Sequence, residues 1–317
     1  MSSLYPKVTR NFELGLPVGP YSNVYYVDAV YGSDGHDGKR PEKAMLTLLA
    51  AYNKCTAGQH DVVVLISGTS GLTLDAAFIW AKDYTHLVGM CAPVQEGKRA
   101  RIFAASDLAA PVFFTISAQG CIFKDFYIFH GPDEAAALGN VLVTGERNYF
   151  ENVHFAGAGH ATNAIDGAYS LGLNGGGESR FKHCQFGLTT VDAATGVRAV
   201  ALIGGYPPRV VFEDCFFGIT ASNAGAMIVE ADDGAWCIEY MLFKDCIFYN
   251  CAATAINTAF ELPTVDTNNQ IVMLVNCTRS PGIDDWEDSA KAIVFCGGMP
   301  DQGAGTSQGD MVVYTVA

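Results

Sequence analysis

The chain has 317 residues, half of them hydrophobic, with 34 glycines and only 16% charged side chains, a composition that excludes a disordered polymer and leaves room for a long continuous core. Its net charge of -14 opposes phosphate backbones and anionic bilayers, which argues against nucleic-acid and membrane-surface partners. The ten cysteines lack the dense spacing of a small disulfide scaffold.

Residues 1–23 read as an arm. Pro6, Pro17, Pro20, Gly15 and Gly19 interrupt isolated apolar residues, and neither helical nor strand periodicity survives. Tyr5, Phe12 and Leu14 give the arm something to bury, so it is expected to pack on another chain. Met1–Arg10 lacks an apolar core of the kind an export signal carries, so folding in a cytosol with reduced thiols is expected.

Residues 24–70 follow as a cap and first coil. Val24–Asp28 is a short strand, Gly32–Gly38 a tight loop, and Pro41–Lys54 a helix with Ala44, Leu48, Ala51 and Tyr52 near one face. Asp61–Ile66 is a buried strand, and its apolar run is too short to span a bilayer. Ser33, Asp34 and Asp37 in the loop lack the distal glutamate of a calcium loop, and a turn held by aspartate side chains is the better reading.

From residue 71 to about 300 the sequence repeats. Phe123, Phe150, Phe181, Phe212, Phe243 and Leu274 each open a short motif, and they are separated by 27, 31, 31, 31 and 31 residues. All but Leu274 are followed by a charged outward position (Lys124, Glu151, Lys182, Glu213, Lys244), and all six are then followed by Asp, Asn or His. A small or apolar residue comes next, and in most copies an aromatic closes the motif at Phe129, Phe155, Phe186, Phe217 or Phe248. Alternation of this kind is a strand signal, and a polar residue at a fixed place marks a bend where stacked side chains can bond to one another. One copy cannot bury its own apolar face, but stacked copies can. A propeller blade is longer than 31 residues, and the leucine pattern of a leucine-rich solenoid is missing. The expected fold is therefore all-β: a right-handed parallel β-helix with one motif per coil, an N-terminal capping helix and a C-terminal strand or tail over 301–317.

The order of segments Tyr25–Asp28, Gly32–Gly38, Thr47–Tyr52 and Ala57–Thr69, followed by this repeat, resembles the pectin-lyase-like parallel β-helix proteins. Among these it looks most like the short versions found as tailspikes and capsid decoration proteins of phage particles. The resemblance implies a trimer.

Several residue groups invite chemistry. Cys184, Cys215, Cys246 and Cys277 recur at the 31-residue step, but a column of thiols cannot surround one tetrahedral zinc. Together with Phe181, Phe212 and Phe243 they are expected to form the core ladder. Carboxylates at Glu213, Asp214, Glu239 and Asp245 are spread along the repeat, and Glu230, Asp232 and Asp233 sit near Trp236. These last three are the one candidate for a catalytic pair, although a solvated turn is the better reading of them. Arg180, Arg198, Arg209 and Arg279 have no acidic cluster fixed beside them in sequence. The glycine runs at 174–177 and 204–205 lack the lysine and helix of a phosphate loop. Neither a cofactor nor a metal is expected.

The functional expectation is a structural, non-enzymatic virion protein of a bacteriophage: a capsid decoration, cement or head-spike protein. It would be assembled in the host cytoplasm and attached through its arm to the major capsid protein or another virion protein. A tailspike-like polysaccharide depolymerase is the alternative. A non-catalytic carbohydrate-binding spike is another, with Trp236 or Trp286 exposed to stack on cell-surface polysaccharide. Lys124, Glu151, Lys182, Glu213 and Lys244 would stack as a column of alternating sign.

Overall fold

In the computed structural model the described residues are 19, 21–94, 96–205, 207–231, 239–262, 271–287, 293–296 and 312–313. The side chains of 271, 293–296 and 312–313 are excluded from that description.

The chain winds as a right-handed parallel β-helix with three sheets along its length. A single coil shows the plan. Arg180–Lys182 lies on sheet one, His183 makes a bend, and Gln185–Phe186 lies on sheet two. A loop leads to Arg198–Leu202 on sheet three, and the chain returns to sheet one at Val210–Glu213. Among the described residues sheet one has eleven strands, from Val24–Val27 to Val312–Val313, and sheet three has eight, from Phe78–Trp80 to Ile283–Glu287. Adjacent coils pair in parallel, except that Val312–Val313 runs antiparallel to Ile293–Cys296. The apolar stretches between the repeat motifs, such as Gly139–Val143 and Tyr169–Leu173, build sheet three.

The 31-residue step is the register of the core. Phe150 pairs with Phe181, Phe181 with Phe212, and Phe212 with Phe243 on sheet one. Their rings stack at 4.6, 4.8 and 4.7 Å, nearly parallel. Phe155, Phe186, Phe217 and Phe248 form a second stack on sheet two at 5.1, 4.9 and 4.7 Å. Strands about 4.8 Å apart impose this face-to-face spacing, and edge contacts between the stacks at 5.7 Å for Phe181–Phe186 and 5.6 Å for Phe212–Phe217 lock the columns together. Cys184, Cys215, Cys246 and Cys277 are buried in the corner between the two sheets. Cys215, Cys246 and Cys277 donate their thiols to the carbonyls of Phe181, Phe212 and Phe243 in the preceding coil, at 3.5, 3.6 and 3.3 Å. All four are free thiols, and burial pushes Cys215 well above its ordinary value.

The polar residue of each repeat is the bend. Asp125, Asn152, His183, Asp214, Asp245 and Asn276 all have φ between 51° and 59°, the left-handed region that Asn and Asp tolerate best. Each bend of the column from Asp125 to Asp245 donates its N–H to a carbonyl of the next coil, as in Asn152 to Lys182 at 2.9 Å. The side chains add Asn152 to Asp125 at 2.7 Å and Asn276 to Asp245 at 2.6 Å.

The cap differs from the expected continuous helix over 41–54. Pro41–Lys43 is a single 3-10 turn and the α-helix α1 runs only over Leu48–Lys54. Between them Met45 pairs as an extended residue with the first strand: its N–H donates to Tyr26 O and its carbonyl accepts from Asp28 N, both at 2.8 Å. Strand pairing there outweighs helix propensity. Thr47 then caps α1 by accepting from Ala50 N, and Leu48, Ala51 and Tyr52 face the core.

Candidate functional site

The outward face of sheet one and its two corners carry several ion pairs between coils. Lys124 and Glu151 meet at 3.0 Å on neighbouring coils, and Lys244 meets Glu213 at 3.3 Å. Lys182 lies in register between Glu151 and Glu213, but Glu213 is shared by Arg180 and Lys244. The hydrogen bond from Arg180 above all, seconded by Lys244, holds the Glu213 carboxyl below its ordinary range. The alternating column therefore forms in part, with Arg180 supplanting Lys182.

The corner that precedes sheet one carries a second left-handed column that the repeat motif did not disclose. His60, Tyr84, Gly120, Arg147, Glu178, Arg209 and Glu239 have φ between 52° and 73°. Its last four members bind each other along the axis: Arg147 to Glu178 at 2.5 Å, Glu178 to Arg209, and Arg209 to Glu239 at 2.6 Å. The hydrogen bond from Arg209 is the chief cause that lowers Glu178. The remaining acids of the bend column are held as well. Asp214 faces His183 at 3.3 Å, and Asp245 accepts from Asn276.

Glu230 points outward from sheet three on the strand Met227–Ala231. Its side chain is 15% exposed and ion-paired to Arg198 of the preceding coil, itself 13% exposed. Glu261 is its register partner on the following coil, so two carboxylates and one guanidinium share this face. Burial beside Arg198 leaves Tyr169 with its phenol raised to about 12, desolvation outweighing the nearby positive charge. Asp232, Asp233 and Trp236 lie outside the described residues. Trp286 is not an exposed platform: it is 8% exposed, its ring set edge-on to Phe248 at 5.5 Å, with the Arg279 guanidinium 5.9 Å away. Its strand position on sheet three turns it into the core, where the spacing of a sugar-binding aromatic cannot be told from that of a core residue.

A strap formed by residues 91–94 and 96–99 is likewise not legible in the sequence. It runs along sheet two. Glu96 accepts from Gln185 at 3.3 Å and from Thr189 at 3.5 Å, and Cys91 donates to Asp125 O at 3.1 Å. Lys98 of the strap is itself fully buried, and desolvation lowers its ammonium pKa. His154, beneath the same strap, is 1% exposed and donates from Nε2 to Gly187 O, 3.0 Å away. Among the described residues no three His, Cys, Asp or Glu side chains gather as metal ligands, and no helix is long and apolar enough to cross a membrane.

No family model matches the chain, and no curated protein matches it in sequence. Solved structures do match in shape. A pectin methylesterase in complex with a hexasaccharide superposes with a TM-score of 0.55 at 16% identity, over 83% of this chain and 80% of that one. A pectin methylesterase from Erwinia chrysanthemi gives 0.54 at 14% identity, over 85% and 81%. The fold is the pectin-lyase-like parallel β-helix. At these identities the likeness to the methylesterases establishes the pectin-lyase-like architecture alone, and the chemistry of this β-helix rests on its own side chains.

Proposed function

We propose that the chain is a structural component of a bacteriophage particle, a capsid decoration or head-spike protein. The observation that carries this reading is the state of its outward carboxylates. Glu213, Asp214, Glu230, Glu239 and Asp245, the described members of the candidate set, are each engaged by Arg, Lys, His or Asn on their own or a neighbouring coil. A glycosidase acid must hold its proton near neutrality. Arg180 and Lys244 hold the Glu213 carboxyl below its ordinary range instead, and the ion pairs between coils brace one coil against the next. The acidic surface keeps such rods apart at high local density. Attachment to the major capsid protein or another virion protein falls to residues 1–23, and the working oligomer is a homotrimer.

The depolymerase reading keeps one foothold, the sheet-three face with Glu230 and Glu261 in register. Incubated with capsular and lipopolysaccharide fractions, the purified protein is expected to release neither reducing ends nor unsaturated sugars. Turnover that disappears in Glu230→Gln, or in the Asp232→Asn, Asp233→Asn double variant, would replace the structural reading by a catalytic one.

A further inference from the structure

We propose that His60 and His86 form an acid-sensitive pin that fastens the cap and the root of the N-terminal arm to the first three coils. The inference stands on a chain of hydrogen bonds rather than on the proposed virion role. His60 occupies the left-handed corner before the strand Val62–Ile66, and His86 opens the next strand of sheet one. The two imidazoles stack with ring centroids 5.3 Å apart, and His60 Nδ1 lies 3.1 Å from His86 Nε2. His86 Nδ1 accepts the N–H of Ile122 at 3.0 Å. That bond fixes the tautomer: Nδ1 of His86 carries no proton, so Nε2 carries it and donates to His60 Nδ1. Two neutral rings thus join three successive coils.

A further proton has no harmless place in this chain. On His86 Nδ1 it would face the Ile122 N–H, donor against donor. On His60 Nδ1 it would face the His86 N–H. Either site breaks one contact and sets a positive charge beside the other ring.

The root of the arm is fastened beside this pair. Ser22 Oγ donates to Gln59 O at 3.0 Å and accepts from Gly19 N at 2.6 Å. Asn23 donates its N–H and its side-chain amide to Asp61 Oδ1 at 2.5 and 3.2 Å. Gln59 and Asp61 flank His60, so movement of that corner is movement of the arm's anchor.

The other ionisable groups around the pair are occupied. Asp61 Oδ2 accepts Thr56 N at 2.8 Å. Asp83 accepts Gln119 N at 3.0 Å, and the Lys82 ammonium donates to the carbonyls of Tyr52, Asn53 and Cys55. The Tyr84 ring lies 5.6 Å from His60, and burial raises the Cys121 thiol to about 11. Among these groups imidazole is the one whose ordinary pKa falls between pH 5 and 8. His86 is 1% exposed, and burial first, then the His60 ring, push it from 6.5 down to about 4.

The closed pin is therefore favoured above pH 6.5 and is lost as pH falls towards 4. Amide hydrogen exchange, corrected for intrinsic rates, tests it on the full chain in peptides covering 21–27, 60–66 and 120–124. Protection there is expected to fall roughly thirty-fold between pH 7.5 and pH 5, the factor that those two pKa values dictate for opening. In His86→Gln the amide oxygen accepts from Ile122 and the amide nitrogen donates to His60, so the fall should stay within about three-fold. Should His86→Gln fail to fold, His60→Asn, which suits the left-handed corner, serves in its place. Removal of the second ring should then give a smaller fall than in the unaltered protein. Equal falls in the unaltered protein and in either variant would overturn the proposal.

Discussion

Acidification from pH 7 to pH 4 is expected to unfold the β-helix, with a loss on the order of 10 kcal/mol of stability. Three histidines are buried: His86 and His154 at 1% exposure and His130 at 0%. Burial pushes them down to about 4 for His86, about 4 for His130 and about 3 for His154. His130 lies flat against Phe113 with ring centroids 5.6 Å apart, so no charged partner compensates for desolvation there. A depressed folded pKa means that the unfolded chain binds the proton first. The stabilisation is fully present above 6.5 and drains away as pH falls through the folded values. Each histidine then contributes about 3–5 kcal/mol at pH 7, from 1.36 kcal/mol per pKa unit. Glu178 and Glu213, lowered by Arg209 and Arg180, act in the same direction. Asp125, raised by desolvation, acts weakly against it. A typical domain has about 5–15 kcal/mol in total, so the melting temperature should drop steeply between pH 6.5 and 4. A melting temperature flat over that interval would mean that these imidazoles are not buried neutral.

Phe212→Ala is expected to cost about 3–5 kcal/mol. Phe212 is fully buried, between Phe181 at 4.8 Å and Phe243 at 4.7 Å, with Phe186 and Phe217 at its edges at 5.5 and 5.6 Å. The neighbouring rings are held by strands whose spacing is set by backbone hydrogen bonds, so they cannot close over the void. Denaturant titration of the variant beside Phe212→Leu gives the size of the effect. Leu refills most of the volume and should recover more than half of the loss. A cost below about 1 kcal/mol for Phe212→Ala would contradict the stacked register.

The parts of this fold that sequence reveals are those where one residue type is forced at one place. Phenylalanine recurs because a ring on each coil must meet a ring on the next, and Asp, Asn or His recurs because the bend is left-handed. The second left-handed corner escapes such reading because His60, Tyr84, Gly120, Arg147, Glu178, Arg209 and Glu239 share a conformation but no chemistry. The strap is equally silent: Lys98 and Glu96 look like ordinary loop charges until sheet two is folded beneath them. The capping helix is shorter than the apolar spacing predicts, because that spacing at Ala44 fits a helix face and a strand edge alike. Trp286 illustrates the same limit, since an aromatic in a terminal coil has one sequence signature whether it faces solvent or core. Glu230 stood out for its acidic neighbours, but its partner Arg198 lies a whole coil away in sequence and only the coil register brings them together.

The measurement closest to the central claim is the copy number of the chain on purified phage particles, by quantitative mass spectrometry with immunogold labelling of intact virions. A structural component of the particle should show a fixed stoichiometry in multiples of three, unchanged by salt washing, with label confined to one kind of site on the particle. Absence from washed particles, together with turnover of a surface polysaccharide by the free protein, would contradict it.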